Sequence, residues 1–127
     1  MFRKVFLLPI LMLALAVGFG GCKKPADTKA IITVLDGDGM PVEGAYVKLF
    51  ANPVPPLQPD YSRLDMEGYT AVSGKVEFNY TDFYKQGQAG FAVLDILAQM
   101  DTLTGQGIIR IEEEKTNEET VTLVTPN

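Results

Sequence analysis

Apolar and polar residues alternate along Ala45-Tyr46-Val47-Lys48-Leu49-Phe50. Ala45, Val47 and Leu49 fall on one side, and Tyr46, Lys48 and Phe50 on the other. A period of two sets successive side chains on opposite faces of a pleated chain, so this segment predicts a half-buried β-strand. Ala30 to Asp36 is short and β-rich and predicts another. Between them, Gly37-Asp38-Gly39-Met40-Pro41 reads as a turn, because glycine supplies positive φ and proline presets φ. Tyr69 to Val72 and Lys75 to Tyr80 flank Ser73-Gly74 and predict a hairpin, with Val76, Phe78 and Tyr80 on one face. Phe91 to Met100 is the most apolar stretch after residue 21. It also suits a helical period, but Leu94, Ile96 and Ala98 alternate with Val93, Asp95 and Leu97, and the neighbouring segments favour a strand. Gly107 to Glu114 and Glu118 to Val124 predict a last hairpin turning at Thr116-Asn117. In it, Ile109 and Ile111 face the same core as Val121 and Leu123.

The connections carry their own signals. Pro53, Pro55, Pro56 and Pro59 lack amide donors and exclude Asn52 to Asp60 from a central strand. Thr81 to Gly90 reads as a second loop bearing Phe83 and Tyr84, whereas residues 61 to 68 fit a strand or a loop. Short strands separated by Gly and Pro turns predict an all-β domain, a single seven-stranded antiparallel sandwich of two sheets.

The opening of the chain breaks this pattern. Met1-Phe2-Arg3-Lys4 precedes an uncharged apolar run from Val5 to Phe19, which then gives way to Gly20-Gly21. A basic start, an apolar stretch and small residues predict a secretory signal over 1–21. A spanning helix usually needs about 20 apolar residues, more than this run offers. Cys22 is the single cysteine, which leaves no partner for a disulfide. Phe19-Gly20-Gly21-Cys22 resembles the lipobox of bacterial lipoproteins. That resemblance implies cleavage between Gly21 and Cys22, a diacylglyceryl group on the Cys22 thiol and an acylated amine. One acyl chain holds a protein to a bilayer only marginally, but two or three chains hold it effectively for good. Residues 22–29 then form a lipidated cysteine and polar tether, and 30–127 one domain. The expected address is the bacterial envelope, the outer membrane above all, with the membrane bound through the lipid on Cys22.

Charge and composition narrow the chemistry. Losing Arg3 and Lys4 with the signal takes the net charge from −5 to −7, which excludes the basic footprint of a nucleic-acid binder. There is no histidine, so Ser-His-Asp and Cys-His catalysis and the usual zinc sites are absent. No metal and no cofactor is implied, and the chain reads as non-enzymatic. A carboxylate enzyme acting on polysaccharide is the remaining catalytic alternative.

A second resemblance spans most of residues 30 to 124. Val34-x-Asp36 followed by Gly39-x-Pro41-Val42-x-Gly44-Ala45-x-Val47-x-Leu49 looks like the opening of carboxypeptidase regulatory-like, or transthyretin-like, domains. Thr70 to Phe78, Leu94-x-Ile96-x-Ala98 and Glu119-x-Val121-x-Leu123 resemble their later strands in order. The resemblance implies a prealbumin-like, Ig-like sandwich that serves as spacer, stabiliser or binding module. Its motif is structural and transfers no active site.

Some residues stand out as candidates. Phe50, Tyr61, Tyr69, Phe83 and Tyr84 fall on loops or outward faces, and exposed aromatics stack on sugars or anchor protein partners. Tyr61, Phe83 and Tyr84 are the expected binding surface for a protein or glycan. An accessory subunit of an envelope complex is the alternative. Asp36-Gly37-Asp38-Gly39 resembles the start of a calcium loop, but position twelve is Val47 rather than glutamate, which favours a plain turn. Glu112, Glu113, Glu114, Glu118 and Glu119 read as charges that deter edge pairing. Asp101-Thr102-Leu103 resembles an O-glycosylation acceptor of some gut Gram-negative bacteria.

Overall fold

In the computed structural model, which describes residues 26–51, 64–85 and 91–126, the alternating segments become strands of two packed sheets. The expected signal at 1–21, Cys22, the start of the tether, the proline-rich loop and Tyr61 lie outside the described residues. The strands are β1 (Lys29–Leu35), β2 (Tyr46–Phe50), β3 (Met66–Tyr69), β4 (Lys75–Asn79), β5 (Phe91–Met100), β6 (Leu103–Glu112) and β7 (Thr116–Thr122). One short helix, α1 (Thr81–Lys85), separates β4 from β5. The described chain is therefore an all-β sandwich, with sheets ordered β4-β1-β7 and β3-β2-β5-β6.

Alternation sets the core. Ala30, Ile32 and Val34 of β1 are buried against Val47 and Leu49 of β2, and Leu94, Ile96 and Ala98 of β5 extend the same layer. Ile109, Ile111, Val121 and Leu123 join it, as their spacing predicts. Burying each Val, Leu or Ile side chain contributes roughly 1.5–3 kcal/mol, so these positions carry most of the drive to fold. The buried polar residues are bonded. Thr70 donates its hydroxyl to the Val42 carbonyl and accepts the Ala45 amide at 2.9 Å.

The pairing departs from expectation in four places. Ser73-Gly74 does turn the chain, yet β3 pairs with β2 and β4 with β1, so the turn is a corner between sheets. Gly74 has φ +78 there, and a Cβ would stand 2.7 Å from the Pro41 Cβ. The last two strands likewise form no hairpin, and among the described residues their backbones bond only where Val124, beyond β7, bridges Thr104 of β6. β6 pairs with β5, and β7 crosses to run parallel to β1, the exception to antiparallel pairing among the described strands. Parallel neighbours need a long crossover, and here nearly the whole domain lies between them. The corner falls at Glu113 to Lys115 rather than Thr116-Asn117. Asn117 holds it by donating Nδ2 to the Lys29 and Glu112 carbonyls and accepting the Glu112 amide.

The hairpin that does form joins β5 and β6, ten residue pairs long, through Asp101-Thr102 with Asp101 at φ 53. Finally, residues 81–85 are helical rather than loop. Asn79 accepts the Thr81 amide at 2.9 Å, and Thr81 in turn accepts the Thr28 amide at 3.0 Å. The first bond satisfies an amide at the start of the turn, and the second docks the turn beside the start of β1.

Candidate binding face

The outward faces of β2, β5 and β6 meet in one small lattice. The registers place Phe50, Asp95 and Ile108 in one row across the three strands, and Lys48, Leu97 and Gln106 in the next. Strand spacing and the rise per residue make this patch roughly 10 Å by 7 Å. A pocket of about 470 Å³ opens on it, lined by Phe50, Asp95, Leu97, Gln106 and Ile108, with backbone of Ile96 and Gly107 beneath. Gly107 adds no bulk, because a Cβ there would point inward, 3.2 Å from Val121.

Polar groups around the patch satisfy one another. The Tyr46 hydroxyl donates to Glu67 at 2.7 Å, a bond that raises the phenol pKa, and Tyr69 packs edge-on against Tyr46 at 5.8 Å. At the far end Arg110 covers the Phe91 ring at 3.8 Å, and Lys115 reaches Glu112 at 2.9 Å. That last hydrogen bond, with the charges of Lys115 and Arg110, holds the Glu112 carboxyl below its usual range. Lys48 lies over the Phe50 ring at 5.6 Å. At the centre the pattern differs: neither the Asp95 carboxylate nor the Gln106 amide has a hydrogen-bond or ionic partner among the described residues. Ile108 beside them is 60% exposed.

The expected surface of Tyr61, Phe83 and Tyr84 does not assemble as read. Tyr61 lies outside the described residues. Tyr84 is a correction: it is only 7% exposed and donates its hydroxyl to the Ile111 carbonyl at 3.0 Å. Phe83 is partly buried, edge-on to the Tyr84 ring at 5.1 Å. The reason is α1, whose turn folds both rings back over the end of the sandwich. Phe50 and Tyr69 do face outward, as expected, on the four-stranded sheet.

Asp36 closes its own turn by accepting the Asp38 and Met40 amides, both at 2.9 Å. Among the described residues no group of three or more His, Cys, Asp or Glu is placed to hold a metal ion. Thr102 is exposed at the tip of the β5–β6 hairpin. Of the glutamates, Glu112, Glu113 and Glu114 mark the β6–β7 corner, and Glu118 and Glu119 belong to β7. Asp95, Gln106 and Ile108 had a faint signal in the sequence. Asp95 is the one charge within the most apolar strand, and it falls opposite the core-facing set.

No protein-family model matches the chain, and no characterised protein sequence matches it. Its fold is shared with solved structures of low identity. The 3-chlorocatechol 1,2-dioxygenase of Rhodococcus opacus 1CP matches at 10% identity and TM-score 0.51, over 82% of this chain and 62% of that one. The catechol 1,2-dioxygenase of Pseudomonas arvilla C-1 matches at 11% and 0.50, over 82% and 54%. The Bacillus anthracis TIE protein matches at 10% and 0.48, over 78% and 17%. The chain thus spans less than two thirds of each of these proteins, and its likeness to the two dioxygenases is one of fold alone. It corrects one expectation. The absence of histidine, together with a sandwich expected to serve by contact, reads as non-enzymatic, and the enzymes that match this sandwich, the catechol 1,2-dioxygenases, count against that reading. The β-sandwich is what this chain and those enzymes have in common.

Proposed function

We propose that this chain is a lipoprotein of the bacterial envelope, attached through lipid on Cys22, whose β-sandwich binds an envelope protein or glycan through the outer face of the four-stranded sheet. The anchor rests on the sequence: a basic start, an apolar run and Gly20-Gly21-Cys22. The transthyretin-like resemblance supports the same reading, as a module that serves by contact. The observation that carries the binding role is the pocket lined by Phe50, Leu97 and Ile108 around Asp95 and Gln106, which have no partner among the described residues. Apolar pockets holding a few convergent polar groups are the usual form of ligand sites.

A second reading, the accessory subunit, is favoured by Phe91 and Val93. Both are more than half exposed beside the pocket and extend the apolar surface along β5.

The test uses lipid-free residues 23–127 sedimented with isolated envelope material. Wild type is retained, and Ile108→Lys reduces retention by about tenfold, the equivalent of 1.4 kcal/mol, while melting at the same temperature. Equal retention of the two proteins overturns the assignment of this face.

A further inference from the structure

We infer that the pocket between Phe50 and Gln106 is a saccharide site that takes a neutral pyranose ring. This rests on the reading of the outer face as a binding surface. Three features of the lattice lead to it.

The first is the apolar part. Phe50, Leu97 and Ile108 come from three adjacent strands and offer C–H surface around Asp95. A pyranose presents such a surface on its ring face. The second is the polar part. Asp95 sits between Phe50 and Ile108 in its row, and Gln106 ends the neighbouring row. A carboxylate accepts two or more hydrogen bonds, and an amide both donates and accepts. Neither group is engaged within the described protein. A sugar seated with one edge over the middle of the patch brings its hydroxyls to that pair, donating to Asp95 and exchanging bonds with Gln106. The third is size. A pocket of about 470 Å³ lies within the ~300–1,000 Å³ range of small-ligand sites.

Other ligand chemistries fit less well. An acyl chain would fill the apolar part but strip water from Asp95 without replacing its hydrogen bonds. An anionic sugar gains from Lys48 over the Phe50 ring, but an acid group on the Asp95 side would meet the carboxylate in the middle of the patch. A neutral ring leaves neither problem.

The experiment uses the full chain, solubilised in a zwitterionic detergent that carries no sugar headgroup. Neutral oligosaccharides of glucose, galactose and mannose, and sialylated and sulfated counterparts, are screened on an array. The best binder is then measured by calorimetry. Binding to a neutral oligosaccharide is expected, weakened by about tenfold or more in Asp95→Asn, which loses the charge, and by a few-fold in Gln106→Ala, which loses a neutral amide, since hydrogen bonds to charged groups are the stronger ones. Phe50→Ala abolishes it. Asp95→Asn keeps the side-chain shape, so a poorly folded Phe50→Ala leaves the test intact. Absence of any neutral binder overturns the proposal, as does binding that Asp95→Asn and Gln106→Ala leave unchanged, or preference for the sulfated set. If the Ile108→Lys effect on envelope retention persists in that event, the outer face still binds and only its ligand class is wrong. If retention never depended on Ile108, the broader reading fails with it.

Discussion

The Tyr84 hydroxyl donates to the carbonyl of Ile111 at 3.0 Å, tying the short helix α1 to strand β6 across the open end of the core. Burial, and after it the nearby Glu113, raises the pKa of this phenol, so the group stays protonated and keeps donating. We expect Tyr84→Ala to lose about 3–5 kcal/mol, the range for removing a large aromatic from a core. Tyr84→Phe should lose only about 1 kcal/mol, the net value of one hydrogen bond. Urea unfolding curves measure both. Equal midpoints for Tyr84→Ala and wild type would return Tyr84 to the surface role that its place in the sequence suggested.

Tyr80 makes the parallel bond, donating to the Leu64 carbonyl at 2.9 Å from a site 1% exposed. Burial raises its pKa well above the ordinary 10.0. The folded chain therefore holds this proton at pH values where the unfolded chain releases it. Stability contributed this way is complete below about pH 10, and it declines as pH rises from there toward the raised folded value. Denaturation midpoints measured from pH 8 to pH 11.5 should fall steeply above pH 10. Tyr80→Phe should begin less stable by about 1–3 kcal/mol, because the buried Leu64 carbonyl loses its donor. It should also fall less steeply with pH. Parallel slopes for the two proteins would refute the assignment.

Much of this architecture is legible in the alternation of residues and some of it is not, for physical reasons. Alternation reports which side of a strand is buried. Spacing puts Ala45, Val47 and Leu49 on one face of a half-buried strand, and all three are fully buried. It does not report which strand lies next door, because the same apolar face suits either sheet of a sandwich. That is why Tyr69 to Val72 and Lys75 to Tyr80 read as a hairpin, although the turn between β3 and β4 crosses between sheets. The true hairpin was missed because Asp101-Thr102 holds no glycine; Asp101 itself takes up the positive φ. The candidate site follows the same logic. Phe50 was visible as an outward aromatic, but its neighbours Asp95 and Ile108 become its neighbours only through the register of three strands. Tyr84 went wrong because an aromatic in a polar stretch looks exposed until a helical turn folds it inward.

Gly105 marks the closest approach between the two sheets at β6. A Cβ built there lies 2.5 Å from Val121 Cγ1 and 2.8 Å from the Thr122 carbonyl oxygen. The backbone oxygen cannot step aside without disturbing β7, which leans on β1 along its whole length. Gly105→Ala should therefore destabilise by about 1–3 kcal/mol, the scale of core overpacking. Gly37→Ala is the control, since nothing lies within 4 Å of its Cβ position and its φ is not positive. It should change stability by no more than about 0.5 kcal/mol, the range of ordinary surface substitutions. Thermal melts of the two variants side by side decide it: an unaffected Gly105→Ala protein would mean that the sheets separate more easily than their packing implies.

The proposed anchor makes the most direct prediction about the living cell. Cys22 is the only thiol in the chain, so a thioether-linked diacylglyceryl group has one place to form. Each buried methylene contributes about 0.8 kcal/mol, and two acyl chains suffice for stable attachment. Bacteria producing the protein and fed an alkyne-bearing palmitate analogue should incorporate the label into wild type and not into Cys22→Ser. The label should resist neutral hydroxylamine, which cleaves thioesters but spares the glyceryl oxygen esters and the amide that would carry it. Intact-mass measurement of the labelled protein should place its new amino terminus at residue 22. Label retained by Cys22→Ser, or wild type without label, would remove the lipid anchor from the proposal. The saccharide site on the outer sheet would remain to be judged on its own, because Asp95 and Gln106 owe their positions to β5 and β6 and not to the membrane.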